Sequence, residues 1–339
     1  MITLVAAHMA PVLVATALLL LQRSVSDPAK VGQMLFSVFL VVIFLALNSS
    51  LSLLNRWALG VHGFSFPLSL TAVHMLFGCC ALAPPMMLSA HYSAAHEPIL
   101  RQNGKAIALI GALNGLQIAC NNASLIRIEL SLNQIIRGFG PLIVAALAVC
   151  VEGKWTSPGQ GAALLTVGVG VLLTTVKMAV DDKTTLAGVL LTLASITMQC
   201  LILTLSSRIM STSTKLDGLQ MAFYQGPFAF LVLVPLTLMH ERAAFARALV
   251  AEPLVALGFL LGSSVLAVAY NIVVFQSSKT LSSVGTSLLA NVKIIVLFIL
   301  SKALLGEMAA WQLREYVGCV LTVGGTAVYS RLKMLQQSR

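Results

Sequence analysis

Apolar runs of about twenty residues follow one another along nearly the whole chain, and that pattern leaves little length for anything except membrane-spanning helices. The qualifying segments are 34–57, 66–90, 104–123, 132–151, 158–177, 185–207, 218–239, 254–276, 281–304 and 312–331. In lipid every backbone N–H and C=O has to be satisfied within the protein, which a helix does alone. Hydrophobic residues make up 58% of the chain and charged residues 9%, against about 25% charged in soluble domains. The expected fold is therefore all-α: a polytopic membrane protein of about ten transmembrane helices, with an extra apolar segment at the N-terminus. Short connections such as Glu152–Ser157 and Lys177–Lys183 make neighbouring helices antiparallel.

The net charge of +10 is scattered over short loops, with no polybasic block and no interleaved stacking aromatics, so nucleic acid is not an expected partner. The six cysteines (Cys79, Cys80, Cys120, Cys150, Cys200 and Cys319) lie in apolar stretches without C-x-x-C spacing, which suits buried thiols better than disulfides or metal ligands. No cofactor is expected. Residues 1–33 read as a separate apolar segment, Ile2–Leu21 closed by Gln22-Arg23, serving as an extra helix or a signal anchor. It lacks the basic start of a secretory signal and the Arg/Ser richness of a transit peptide. If the segment before residue 34 is cytosolic, that side receives eleven basic residues against eight, and the C-terminus with its basic tail 334–339 is cytosolic too.

Two cations stand inside apolar runs: Arg137 in 132–151 and Lys293 in 281–304. All eleven acidic residues fall in loops or near the ends of apolar segments, so neither cation has a carboxylate at its own depth. A charge near the bilayer centre costs at least ~2.5–3.5 kcal/mol, which makes an intramembrane cation a functional-site candidate. The two are related by an internal repeat. LTVG occurs at Leu165–Gly168 and again at Leu321–Gly324, an offset of 156, and Arg137 shifted by 156 falls on Lys293. Five spans per half is an odd number, so the expectation is two inverted five-helix repeats, about 34–177 and 185–333. Such repeats hold substrate between them near the midplane. Gly138, Gly140 and Pro141 loosen the helix beside Arg137, and Ser282, Ser283, Thr286, Ser287 and Asn291 line up ahead of Lys293. A guanidinium fork with an ammonium point charge suits phosphate or diphosphate.

Asn55-Arg56, Phe66-Pro67 followed by Thr71 and His74, Arg137-x-x-x-Pro141, Tyr270 and Asn291-x-Lys293 occur together in this order and spacing. In that respect the chain resembles the triose-phosphate translocator and nucleotide-sugar transporter family of the EamA-like drug/metabolite transporter superfamily, from about residue 34 to 333. The resemblance implies ten helices in two inverted halves that exchange a phosphorylated sugar or nucleotide-sugar for phosphate or a nucleoside monophosphate. It also implies that Arg137, Lys293 and Tyr270 contact the phosphate. Departures are informative. Arg137 stands where many members carry lysine, and Ile294 follows Lys293 where plastid phosphate translocators carry arginine. Phe223-Tyr-Gln-Gly226 replaces the Phe-Tyr-Asn-Asn of GDP-mannose carriers, so guanine recognition does not transfer.

The candidate substrate-binding residues are Arg137, Lys293, Tyr270, Asn291, Asn121, Asn122, Asn271 and His74. Each asparagine also fits a bridge between helices, and His74 fits an interior histidine satisfied by a neighbour. Gly161, Gly168, Gly170, Gly318, Gly324 and Gly325 are expected to let the fifth and tenth spans pack closely. The first functional expectation is an antiporter exchanging a nucleotide-sugar for a nucleoside monophosphate across an organelle membrane, Golgi or ER. A sugar-phosphate/phosphate antiporter, with a plastid envelope as the alternative site, is the second. A non-transport intramembrane protein is the remote third. An enzyme is not expected, since no H-E-x-x-H and no Ser/His pair at facing depth occur. The partners are thus a phosphorylated small molecule, its counter-substrate and the bilayer, with room left for a homodimer.

Overall fold

The computed structural model describes residues 28–140, 142–143, 146, 157–181, 183–212, 216–280, 282–309 and 311–337. The apolar segment Ile2–Leu21, Pro141, Cys150, Glu152 and the last two residues of the basic tail lie outside the described residues. Among those described there is no strand. The α-helices, in order, are α1 (Pro28–Arg56), α2 (Pro67–Leu88), α3 (Ala90–Ser93), α4 (His96–Leu125), α5 (Leu130–Arg137) and α6 (Pro158–Asp181). They continue as α7 (Lys183–Thr212), α8 (Gly218–His240), α9 (Arg242–Ala251), α10 (Pro253–Thr280), α11 (Ser282–Leu305) and α12 (Leu313–Gln337). A π-helical turn, Trp57–Val61, closes α1.

Among the described residues, six helical stretches are long and apolar enough to cross a membrane: Phe39–Val61, Pro67–Leu88, His96–Leu125, Thr184–Ser206, Gly218–His240 and Pro253–Ser277. Pro158–Thr174 and Val296–Leu305 are shorter apolar helices. The expected loop Lys177–Lys183 is tighter than the sequence suggested, for α6 runs on to Asp181 and α7 begins at Lys183. Between 28% and 44% of the most apolar window of each candidate span is buried within the protein. The remainder turns outward, as with Leu165, Val169 and Leu172 on α6 or Leu257, Leu261 and Val265 on α10. An outward apolar face of that extent belongs in lipid, so the chain is a multi-pass membrane protein.

Two helix starts are held by carboxylates from distant segments. Glu241, just after α8, accepts hydrogen bonds from Leu68 N (3.0 Å), Ser69 N (2.7 Å) and Ser69 Oγ (2.9 Å) at the start of α2. Glu307, just after α11, accepts in the same way from Leu130 N (2.9 Å), Ser131 N (3.1 Å) and Ser131 Oγ (2.9 Å) at the start of α5. Both recipients are the tripeptide Leu-Ser-Leu (68–70 and 130–132). The first N–H groups of a helix have no intrahelical partner, and a negative charge there also complements the helix dipole. Gly306 and Met308 take left-handed φ values of 65° and 70°, folding the chain back on either side of Glu307. α8 is capped locally instead, by the reciprocal pair Asp217 and Gln220.

Helix pairing is regular. α6 packs along α12, and α2 along α8. α4 packs on both α7 and α8, while α10 packs on both α1 and α2. α5 lies against α11, α7 and α6. At the α6–α12 seam a Cβ added to Gly170 would meet Gly318 O at 2.6 Å, and one added to Gly325 would meet Ala163 O at 3.0 Å. Only a backbone without a side chain allows that approach. Gly161, Gly168 and Gly324 have open space instead and do not form the seam.

Candidate functional site

The helix carrying Arg137 is short because its sequence breaks it. α5 ends at Arg137 with Gly138 as the C-cap, whose N–H returns to Ile135 O and Ile136 O. The break leaves the guanidinium beside a cavity of about 120 Å³ enclosed by α1, α2, α4, α5, α7, α10 and α11. Seven of the eight candidates line it: Arg137, Lys293, Tyr270, Asn121, Asn122, Asn271 and His74. The eighth, Asn291, sits on α11 two residues before Lys293, and its side chain, like those of the serines ahead of it, lies outside the described ones. No described residue of the lining is a carboxylate.

Neutral acceptors hold the guanidinium in place. Arg137 Nε and Nη2 donate to Asn121 Oδ1 (3.3 and 2.9 Å), Nη1 to Gln199 Oε1 (2.6 Å) and Nη2 to Ser195 Oγ (3.1 Å). Asn133 Nδ2 also donates to Asn121 Oδ1 (3.2 Å), and Gln117 Nε2 donates to Ser195 Oγ (3.1 Å). Arg137 thus ties α5 to α4 and α7. Gln199 and Ser195 did not stand out in the sequence, although amides and hydroxyls inside an otherwise apolar span are the signal that could have found them.

The other candidates differ in how free they are. Asn122 is committed between helices, donating to Thr71 Oγ1 (3.0 Å) and accepting from Asn55 Nδ2 (3.2 Å). His74 on α2 is buried, with Nε2 against Ser263 Oγ of α10 at 2.9 Å, so a Ser/His pair at facing depth does occur, contrary to the sequence expectation; Ser263 Oγ also reaches Leu260 O at 3.3 Å. Asn48, Asn55, Asn114, Gln117 and Gln134 add further amides to the lining. Of these, Asn48 Oδ1, Asn55 Oδ1, Asn114 Nδ2 and Gln134 Oε1 have no hydrogen-bond partner among the described residues. A buried polar wall with spare donors and acceptors is arranged for a polar ligand or water.

An apolar cluster borders the cavity at one end. Leu53, Leu125, Leu130 and Leu297 cluster there, with Leu125 also in the cavity wall. Beyond them Arg56 Nε pairs with Glu307 Oε1 at 2.8 Å, while Arg56 Nη1 donates to Leu125 O. Trp311 Nε1 donates to Glu129 Oε2 (2.9 Å) at the same end. The acidic residues seen in the sequence as loop residues therefore act here, at a helix end and away from the cavity cations.

A profile of the Triose-phosphate Transporter family matches residues 34–330. Solute carrier family 35 member E4 of Homo sapiens is 27% identical over 288 residues, covering 85% of this chain and 78% of that protein. A probable sugar phosphate/phosphate translocator of Arabidopsis thaliana is 27% identical over 316 residues, covering 91% and 85%. UDP-galactose transporter 1 of Arabidopsis thaliana is 24% identical, covering 90% of each chain. A protein solved by crystallography shares the fold with a TM-score of 0.55 at 16% identity, over 87% of this chain and 96% of its own. With the matched stretch running over nearly the whole length, the chain belongs to the Triose-phosphate Transporter family.

Proposed function

We propose that this protein is a secondary active antiporter of phosphorylated sugars, with Arg137, Lys293 and Tyr270 holding the phosphate. One observation carries the reading: two cations from apolar runs of the sequence line a single cavity whose described walls contain no carboxylate. Like charges around one low-dielectric cavity repel, and an incoming phosphate converts that repulsion into attraction. Without cargo the charged cavity resists closing, so translocation requires a bound anion and net movement becomes exchange.

The ten-helix inverted repeat is part of the proposal. Shifting α1 (28–56) by 156 gives 184–212, against α7 at 183–212. Shifting α4 (96–125) gives 252–281, against α10 at 253–280, and shifting α6 (158–181) gives 314–337, against α12 at 313–337. The packing supports the same relation. α4 on α7 corresponds to α10 on α1, and α4 on α8 to α10 on α2, while the α6–α12 and α2–α8 pairs map onto themselves. Rocking one half on the other would expose the cavity on alternate sides.

For the cargo, the size of the cavity favours a sugar phosphate exchanged for phosphate. About 120 Å³ lies below the ~300–1,000 Å³ of pockets that take drug-sized ligands, so the smaller cargo is the better match. Ile294, where plastid translocators carry arginine, favours the second reading, nucleotide-sugar against nucleoside monophosphate. The relatives named above as translocators and transporters cover both.

Counterflow in proteoliposomes tests the proposal. Vesicles preloaded with inorganic phosphate or with UMP, CMP or GMP should accumulate labelled sugar phosphate or nucleotide-sugar faster than empty ones. Lys293→Gln should abolish that accumulation while the protein is produced and folded normally. Exchange at the wild-type rate in that variant would sink the scheme.

A further inference from the structure

A second, small cavity, here called the arm, lies between α2, α8 and α10 and adjoins the main one, with His74, Met75 and Asn271 lining both. Its other walls include Cys79, Gln225 and Gly226. No described residue of its lining is a lysine, arginine, aspartate or glutamate. The arm measures about 20 Å³, room for roughly one water-sized group by the ~10–15 Å³ that a water needs. A ring, a base or a second phosphate does not fit.

The arm also has a specific chemical demand. Gln225 is 1% exposed, and its Oε1 has no hydrogen-bond partner among the described residues. A buried amide oxygen calls for a donor. An ionised phosphate oxygen cannot donate, whereas a hydroxyl can. The space beside it exists because residue 226 is glycine: a Cβ there would lie 2.8 Å from Cys79 Sγ. Asn271 at the mouth offers an amide that both donates and accepts.

We propose that this arm is a hydroxyl-reading subsite. One hydroxyl of the sugar enters it and donates to Gln225 Oε1 while the phosphate of the same molecule lies on Arg137 and Lys293. The inference rests on the phosphorylated-sugar reading above and adds the residues that would tell a sugar from another phosphate ester. Phosphate binding would supply affinity common to all cargo, and the arm would supply discrimination.

Binding to the full-length protein in detergent tests it, using glucose 6-phosphate and cyclohexylmethyl phosphate, which share ring size and charge but differ in hydroxyls. The wild type should prefer the sugar phosphate by about tenfold, the value of one good neutral hydrogen bond. Gln225→Met keeps the side-chain volume, and Gly226→Ser fills the arm. Each should reduce the preference to under about twofold. A wild type that binds both ligands equally, or a preference that survives in either variant, overturns the subsite. Counterflow in wild-type vesicles separates the two claims: a binding preference without counterflow upholds the subsite and sinks the exchange reading. Counterflow without the preference does the reverse.

Discussion

Arg56 Nε lies 2.8 Å from Glu307 Oε1, which joins the end of α1 to the turn after α11, residues 251 positions apart in sequence. The same carboxylate caps α5, eight residues long and carrying Arg137 at its far end. Glu307 is therefore bonded more heavily than Arg56, whose other partner is Leu125 O. Removing one member of a buried pair typically costs about 3–5 kcal/mol. Glu307→Gln should lower the melting temperature in detergent more than Arg56→Gln, and the double variant should cost less than the sum. Equal costs, or strict additivity, would contradict this assignment.

The α2 cap is a smaller version of the same arrangement. Ser69→Ala removes only the hydroxyl bond to Glu241 and should cost about 1 kcal/mol. Glu241→Ala strips three donors at once and should cost clearly more. Thermal unfolding of the two variants beside wild type decides it.

Arg137→Lys preserves the charge but not the fork. A lysine cannot reproduce four hydrogen bonds to Asn121, Gln199 and Ser195. Under the antiport proposal, exchange should persist at roughly a tenth to a hundredth of the wild-type rate, whereas Arg137→Gln should leave none. Initial rates of counterflow separate the three proteins. A lysine variant as inactive as the glutamine variant would show that geometry, not charge, is limiting.

The α6–α12 seam gives a matched contrast. Gly170→Leu puts a side chain where Gly318 O and Thr322 already lie, and should abolish folded yield. Gly168→Leu points into open space and should be tolerated. Size-exclusion profiles of the two variants provide the readout; similar profiles would refute the seam.

Much of the site could be read in the sequence because charge is so rare in it. Arg137 and Lys293 are conspicuous against apolar runs, and the 156-residue offset links them within the sequence itself. What surrounds Arg137 was not legible. Gln199 and Ser195 come from α7, and no local pattern says which face of an apolar helix turns towards a cation on another. The roles of Glu241 and Glu307 were hidden for a similar reason: each looks like an ordinary loop acid until the fold delivers a Leu-Ser-Leu helix start to it. The glycines divided by geometry, since Gly170 and Gly168 are two residues apart yet only the first faces α12.

The amide and hydroxyl grip on Arg137 has a consequence for turnover under the antiport scheme. Each guanidinium contact with Asn121, Gln199 or Ser195 competes with any anion that arrives, so phosphate wins only the difference between the two sets of bonds. A carrier must release what it captures, and a cation already partly quenched by uncharged neighbours sheds its load more readily than a bare one.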